Sequence, residues 1–243
     1  MPRLNTPVIR RRSAEISSPL QRTALPDALK KIYAGRGISD PADLTLTLDQ
    51  LLPPSTLKGI GEAAELLADA MEGEARVLVV GDFDADGATS CAMAGSVLRQ
   101  MGLKEVAYRV PNRCELGYGL TPGIVELAAA QMPDLIVTVD NGISSIEGVS
   151  AAQALGMSVL VTDHHLPAAT LPTADVIVNP NQPGCRFPSK SLAGVGVIFY
   201  VLSALRAELN QRDWFTSQGL EMPNLGDALD LVALGTVADV VPL

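Results

Sequence analysis

Aromatic side chains make up only 4% of this 243-residue chain: four Phe, four Tyr and one Trp. That scarcity leaves the core to aliphatic residues and supplies no aromatic cluster of the kind single-strand nucleic-acid binders use for base stacking. Cysteine is scarcer still. Cys91, Cys114 and Cys185 share no metal-ligand or redox spacing, and so small and odd a set argues against a disulfide framework and for reduced thiols in a cytosolic protein. No apolar run reaches the roughly 18 residues of a membrane-spanning helix. Arg10-Arg11-Arg12 has the look of a twin-arginine export signal, but Ser13 to Pro19 follow where an apolar stretch is required. A cytoplasmic protein with no membrane partner is expected.

The net charge of −9 counts against nucleic acid, because phosphate binders are usually basic. Two features offset it. Residues 1–22 hold five arginines (Arg3, Arg10, Arg11, Arg12, Arg22) against Glu15 alone, and carboxylates that bind divalent metal have their charge cancelled on binding. Charge therefore leaves the choice of partner open. What the chain does have is aliphatic bulk. Residues of the hydrophobic classes reach 47%, enough for a sizeable core in one large domain, or in one domain with a smaller appendage.

Residues 1–23 show no apolar period and read as a mobile basic arm. Residues 24–75 read as a helical segment packing on the core, with a short helix at Leu25–Tyr33 and an amphipathic one from Leu57 to Met71, where Ile60, Ala63, Ala64, Leu67, Ala68 and Met71 recur every three or four positions. Residues 76–243 alternate between aliphatic strands (76–80, 106–110, 135–139, 158–162 and 176–178) and helices (near 89–101, 122–131 and 144–155), before two closing helices at 195–209 and 227–234. This alternation predicts an α/β fold, a parallel sheet of about five strands with helices on both faces.

In such a sheet, ligands bind beyond the carboxyl ends of the strands. The first strand runs into Gly81-Asp82-Phe83-Asp84-Ala85-Asp86-Gly87, the third into Asp140-Asn141-Gly142, and the fourth into Asp163-His164-His165. Both histidines of the chain are therefore adjacent at one strand end. Asp82, Asp84 and Asp86 repel one another unless a cation is present or one of them protonates. Aspartate oxygens with an imidazole suit Mn²⁺ or Mg²⁺ better than a thiolate-seeking metal, and this density of acid suggests two ions bridged by a carboxylate.

Each piece also has a plainer reading. Asp82-x-Asp84-x-Asp86-Gly87 opens like a calcium loop, but the twelfth position is Met93 where a bidentate Glu is needed, and a strand precedes it. Asp140-Asn141-Gly142 is a common turn, and Asp163 alone would make an ordinary helix cap. Only their meeting at one sheet edge favours the metal site.

Taken in order, Asp82-Phe-Asp84-Ala-Asp86-Gly87, Asp140-Asn141-Gly142, Asp163-His164-His165 and Ala238-Asp239 resemble the four motifs of the DHH phosphoesterase superfamily. Within it the chain is most similar to the single-strand-specific 5′→3′ DNA exonucleases, through Gly35-Arg36-Gly37-Ile38, Pro111-Asn112-Arg113 to Gly117-Tyr118-Gly119, and Leu192 to Val197. Two alternatives stay open: a phosphatase or phosphodiesterase of small nucleotides or pyrophosphate, and a non-catalytic DNA-binding relative.

The resemblance implies one divalent cation held by Asp82, Asp84 and Asp140, and a second held by Asp86, Asp140, His164 and Asp239, with Asp140 as the bridge. It implies that His165 contacts the scissile phosphate, with Arg113 and Asn141 as further substrate contacts, and that Asp163 orients His164 or the turn. Single-stranded DNA is the implied partner, hydrolysed from its 5′ end in repair and recombination; protein partners are not legible. It also implies a DHH-associated domain and an oligonucleotide-binding domain after the fourth motif. The chain stops at Leu243, four residues past Asp239, so those domains are expected to be absent from it.

Overall fold

The structure is a computed structural model that describes residues 13–45 and 47–242, without the side chains of Arg113 and Cys114. It divides into two compact units, Met1–Leu52 and Pro53–Leu243.

Within the first unit, the described residues form α1 (Ser18–Gln21), α2 (Asp27–Gly35) and two 3-10 turns, Pro41–Leu44 and Leu48–Gln50. The basic arm was expected to run without structure to residue 23. Residues 1–12 of it lie outside the described residues, but Ser17 accepts a hydrogen bond from Leu20 N–H and Pro19 sits in the first turn, so capping chemistry makes α1 without an apolar period. The helix predicted at 25–33 is α2, shifted two residues onward because Pro26 occupies its N-cap.

The second unit is built on strands β1 (Val77–Gly81), β2 (Val106–Arg109), β3 (Leu135–Val139), β4 (Ser158–Thr162) and β5 (Val176–Val178), each within one residue of its predicted bounds. Helices α3 (Ile60–Glu72), α4 (Ala85–Gln100), α5 (Arg113–Leu116), α6 (Pro122–Ala129), α7 (Ile146–Ala154), α8 (Gly194–Gln211), α9 (Trp214–Gln218) and α10 (Leu229–Ala238) complete it. Because this unit begins at Pro53, α3 belongs with the sheet, packed on α8.

All strand pairs are parallel and lie in the order β2-β1-β3-β4-β5. Side chains alternate across the sheet. Leu78, Val80, Ile136, Val159 and Val161 join Ile124, Val125, Val149 and Ala152 of α6 and α7 in one core. On the other face α4 and α8 pack together, with α3 and α10 against them. Every residue of β1 and β3 is buried, as in a parallel sheet covered on both sides. The chain leaves β1 toward β2 on one side and continues to β3 on the other, which opens a crevice between the carboxyl ends of β1 and β3.

The helix expected near Thr89 begins four residues earlier, at Ala85. Asp84 caps it, its carboxylate accepting from Gly87 N–H at 2.9 Å. Gly87 lies so close to the preceding strand end that a Cβ would stand 2.4 Å from the Asp82 carbonyl oxygen. The acid-rich stretch is therefore half turn and half helix, and its three carboxylates point from different backbone geometries.

Candidate metal centre

Three adjacent strands deliver the acidic and imidazole groups to the crevice. Asp82 follows β1 directly and is buried, while Asp84 is exposed at the α4 N-cap. Asp86, the second residue of α4, is 1% exposed. Both of its oxygens accept from the first N–H groups of α8, Gly194 N at 2.7 Å and Val195 N at 2.9 Å. The N-terminus of α8, where backbone N–H groups lack helical partners, thus pins a carboxylate that lies 108 residues earlier in the chain.

Asp140 follows β3 directly in the left-handed region, φ +61°, a conformation Asp tolerates better than most residues. It is 1% exposed. Gly194 passes so near that a Cβ there would stand 2.7 Å from both Asp140 Cβ and Oδ1. His164 Nε2 approaches three carboxylates at once: Asp140 Oδ1 at 3.1 Å, Asp239 Oδ2 at 3.7 Å and Asp86 Oδ2 at 3.9 Å. Asp239 comes from the C-cap of α10. Despite the short approach, Asp140 Oδ1 and His164 Nε2 are both buried without a hydrogen-bond partner.

Burial pushes the Asp140 carboxyl up to about 7; neighbouring His164 pulls it down, and Asp86 and Asp84 raise it further. Asp86 is raised for the same first reason, burial, against the pull of the α8 N–H groups. For His164, burial works against the charged ring, but Asp140 and Asp239 outweigh it and the net shift is upward. Burial that disfavours the ionised form of an acid is a cost that a bound cation would relieve.

The geometry fits such a cation. Potential ligand atoms of Asp82, Asp84 and Asp140 lie within 4.8 Å of one another, as do those of Asp86, His164 and Asp239, and those of Asp140, His164 and His165. Carboxylate oxygens with imidazole nitrogen are the donor set of Mg²⁺ and Mn²⁺.

Asp163 behaves differently. It is 1% exposed, yet its carboxylate is fully engaged: Oδ2 accepts from Ile143 N–H at 2.8 Å, while Oδ1 takes His164 N–H at 2.7 Å, His165 N–H at 3.1 Å and His165 Nδ1 at 2.7 Å. Burial alone would raise its pKa, but His165 and the backbone N–H groups hold it below the usual carboxylate range. In return Asp163 lifts His165 to about 9. Asp163 thus orients the turn, as expected, but the ring it holds is that of His165, not His164.

Asn141, expected to touch substrate, is fully buried. Its amide donates to the Val80 carbonyl at 3.1 Å and the Val139 carbonyl at 2.9 Å, so it ties β1 to β3 and does not present its N–H groups to the crevice. Arg113 begins α5, and its side chain lies outside the described residues.

Three neighbours escaped the residue-by-residue reading. Tyr118 Oη lies 3.2 Å from His165 Nδ1 and donates to the Asp140 carbonyl at 3.4 Å. Asn179 and Asn181, just after β5, donate to the carbonyls of His165 (3.0 Å) and His164 (2.6 Å). Among these, only Tyr118 had a signal in the sequence, its place between Gly117 and Gly119 in a family-like stretch.

Comparison with known proteins identifies the family. The pattern of the DHH family, N-terminal domain, matches residues 76–236. The chain is 54% identical over 238 residues to the single-stranded-DNA-specific exonuclease RecJ of Dickeya dadantii, covering 98% of this chain and 41% of that protein. It is 51% identical over 235 residues to the protein of the same name from Escherichia coli, with 97% and 41% covered. The crystal structure of RecJ in complex with Mn²⁺ from Thermus thermophilus superposes with a TM-score of 0.69 at 32% identity, over 94% of this chain and 30% of that one. The chain spans about two fifths of the length of the curated relatives it matches. Its motifs, its sheet order and its crevice place it in the DHH family.

Proposed function

We propose that the chain forms the catalytic half of a metal-dependent phosphodiesterase that degrades single-stranded DNA from its 5′ end, in DNA repair and recombination. The observation that carries this reading is the overlap of three ligand clusters at the β1/β3 crevice, two sharing Asp140 and two sharing His164, where Asp140 Oδ1 and His164 Nε2 are buried without a hydrogen-bond partner among the described residues. The names of the relatives support the single-strand substrate, and the resemblance of the four motifs supports the 5′ end.

Asp82, Asp84 and Asp140 would hold one Mn²⁺ or Mg²⁺, and Asp86, His164 and Asp239 a second, with Asp140, whose Oδ1 lies 3.1 Å from His164 Nε2, shared between them. When bound, a pair of such cations activates water at neutral pH and clamps the attacking and leaving oxygens of an in-line displacement. The chain's own groups do the rest. Asp163 keeps His165 protonated and aimed, so that the imidazolium donates to the phosphate as negative charge builds on it. Tyr118 contacts the same ring through its hydroxyl. The α8 N-terminus holds Asp86 in register with His164. Arg113 remains a candidate phosphate contact. The cytoplasmic location expected from the sequence belongs to this proposal; among the described residues Cys91 and Cys185 are free thiols and no helix is long and apolar enough to cross a membrane.

The test is incubation of the chain with Mn²⁺ and three substrates: a 5′-phosphorylated single strand, the same sequence as duplex, and a phosphorylated dinucleotide. Labels at both ends report direction. Mononucleotides released from the 5′ end of the single strand alone are the expected result. Cleavage of the dinucleotide alone would move the assignment to small-nucleotide hydrolysis.

A further inference from the structure

Residues 179–193, between β5 and α8, contain no carboxylate and no imidazole, so none of them is a candidate ligand. Their hydrogen bonds nevertheless reach the metal centre from both ends of the segment. At the β5 end, the Asn179 amide donates to the His165 carbonyl at 3.0 Å and the Asn181 amide to the His164 carbonyl at 2.6 Å. At the other end the segment runs into α8, whose Gly194 and Val195 N–H groups hold both oxygens of Asp86. His164 and Asp86 are members of one ligand cluster, completed by Asp239.

The segment is braced as one piece. Asn179 is fully buried, and its Oδ1 accepts from Asn181 N–H at 2.7 Å, closing an Asx turn. The same Asn181 Nδ2 that holds His164 donates to the Lys190 carbonyl at 3.3 Å, and Lys190 Nζ reaches back to the carbonyls of Pro180 and Cys185. Gln182, 5% exposed, pins the turn to the sheet and to the approach to α3 by donating to the carbonyls of Ile177 and Lys58. Lys190 lies just before α8, so Asn181 joins the His164 backbone to the stretch of chain that delivers the donors of Asp86. The other acids are mounted elsewhere: Asp82 and Asp84 on the turn from β1 to α4, Asp140 directly after β3.

Resting on the metal-dependent reading above, we infer that residues 179–194 clamp one of the two cation sites, that of Asp86, His164 and Asp239, with Asn181 as its positioning residue. Its amide fixes the His164 backbone against the approach to α8 and so sets the distance between His164 Nε2 and Asp86 Oδ2, 3.9 Å. One side-chain nitrogen with two N–H groups serves both carbonyls, which suits Asn and no apolar residue of the same shape. The two cation sites are thereby tuned by different parts of the chain, and a change in this segment alters one ion without the other. Partners that orient a metal ligand through hydrogen bonds carry 10–100-fold in metal affinity.

The test reads metal binding and not turnover. Calorimetric titration of the chain with Mn²⁺ counts the sites, and pulsed electron paramagnetic resonance detects coupling of bound Mn²⁺ to an imidazole nitrogen, a ligand that the cluster of Asp82, Asp84 and Asp140 lacks. Asn181→Leu keeps the shape and removes the donors. It should weaken the nitrogen-coupled site about tenfold and leave the all-oxygen site as it was. Lys190→Met, at an exposed position, should act in the same direction by less, and carries the test if Asn181→Leu does not fold. Unchanged affinity and nitrogen coupling in folded variants overturn the inference, and so does equal weakening of both sites, the mark of a residue that only shapes a turn. The two readings fail separately. A parent chain that binds no Mn²⁺ removes the metal-dependent reading itself, whereas a parent that binds two ions with variants that match it removes the clamp alone.

Discussion

Two clusters of the same residue types lie side by side at the carboxyl edge of this sheet, and they are electrostatic opposites. In one, Asp163 spends its oxygens on three backbone N–H groups and the ring of His165, and its pKa is lowered although it is almost wholly buried. In the other, Asp140 is equally buried, its Oδ1 has no hydrogen-bond partner, and its pKa is raised to about 7. Burial is common to both. What differs is whether the protein supplies the donors, and a carboxylate left without them is one that a cation would satisfy. The first cluster is a finished piece of structure, the second an unfinished one completed by ligand.

The largest effect should come from removing the shared carboxylate. Asp140→Ala is expected to lower turnover of single-stranded DNA more than about 100-fold, since partners one step removed from a metal already cost 10–100-fold. Calorimetric titration with Mn²⁺ should show the loss of binding directly. The metal-free variant should be no less stable than the parent near neutral pH, because the group removed is itself strained by burial. Substantial residual activity would falsify the shared-ligand assignment.

Asp163→Asn breaks the satisfied cluster, and the two effects should reverse. Stability should fall by about 1–3 kcal/mol through the loss of charged acceptors for buried N–H groups, measured by denaturant unfolding. Activity should fall about 10–100-fold as His165 loses its orientation. Mn²⁺ affinity should change least.

A pH series separates the clusters without mutation. The folded pKa of Asp140, about 7, lies above the ordinary aspartate value of 3.8, so the metal-free chain loses stability as pH climbs from about 4 through 7. The folded pKa of His165, about 9, lies above 6.5, so its contribution is complete below 6.5 and fades as pH rises through 9. The gain in melting temperature on adding Mg²⁺ should therefore grow between pH 5 and 7.5, by at least about 2–4 °C, the shift that 1 kcal/mol produces in a domain of this size. A gain that shrinks over that interval contradicts the picture of Asp140 as the acid under strain.

The smallest effect is expected at the rim. Tyr118→Phe removes the hydroxyl near His165 Nδ1 and leaves the ring, and should cost less than about tenfold in kcat, as the loss of one neutral hydrogen bond does. An effect as large as that of Asp163→Asn would make Tyr118 a principal holder of the imidazole.

Much of this was legible in the residues themselves. Aliphatic runs bounded by Gly and Asp located the five strands to within a residue, because a parallel strand buried on both faces carries its signature locally. The candidate ligands were legible for the same reason, since a carboxylate or imidazole at a strand end is written into the chain at one place. The α4 start was not: Gly87 inside the first helical turn reads as a turn residue until its close approach to Asp82 is seen.

By itself, then, the sequence determined which segments become strands and helices, that the polar residues collect at strand ends, and the family to which the four motifs belong. Tertiary structure decided the rest. It placed β1, β3 and β4 next to one another in the order 2-1-3-4-5, which turned separate acids into one crevice. It set the α8 N-terminus on Asp86 across 108 residues, gave Asp163 to His165 and not to His164, and sank Asn141 into the sheet as a brace. Periodicity and turn chemistry act over a few residues, whereas the satisfaction of a buried oxygen depends on which distant N–H groups packing brings to it. That accounting closes only in three dimensions.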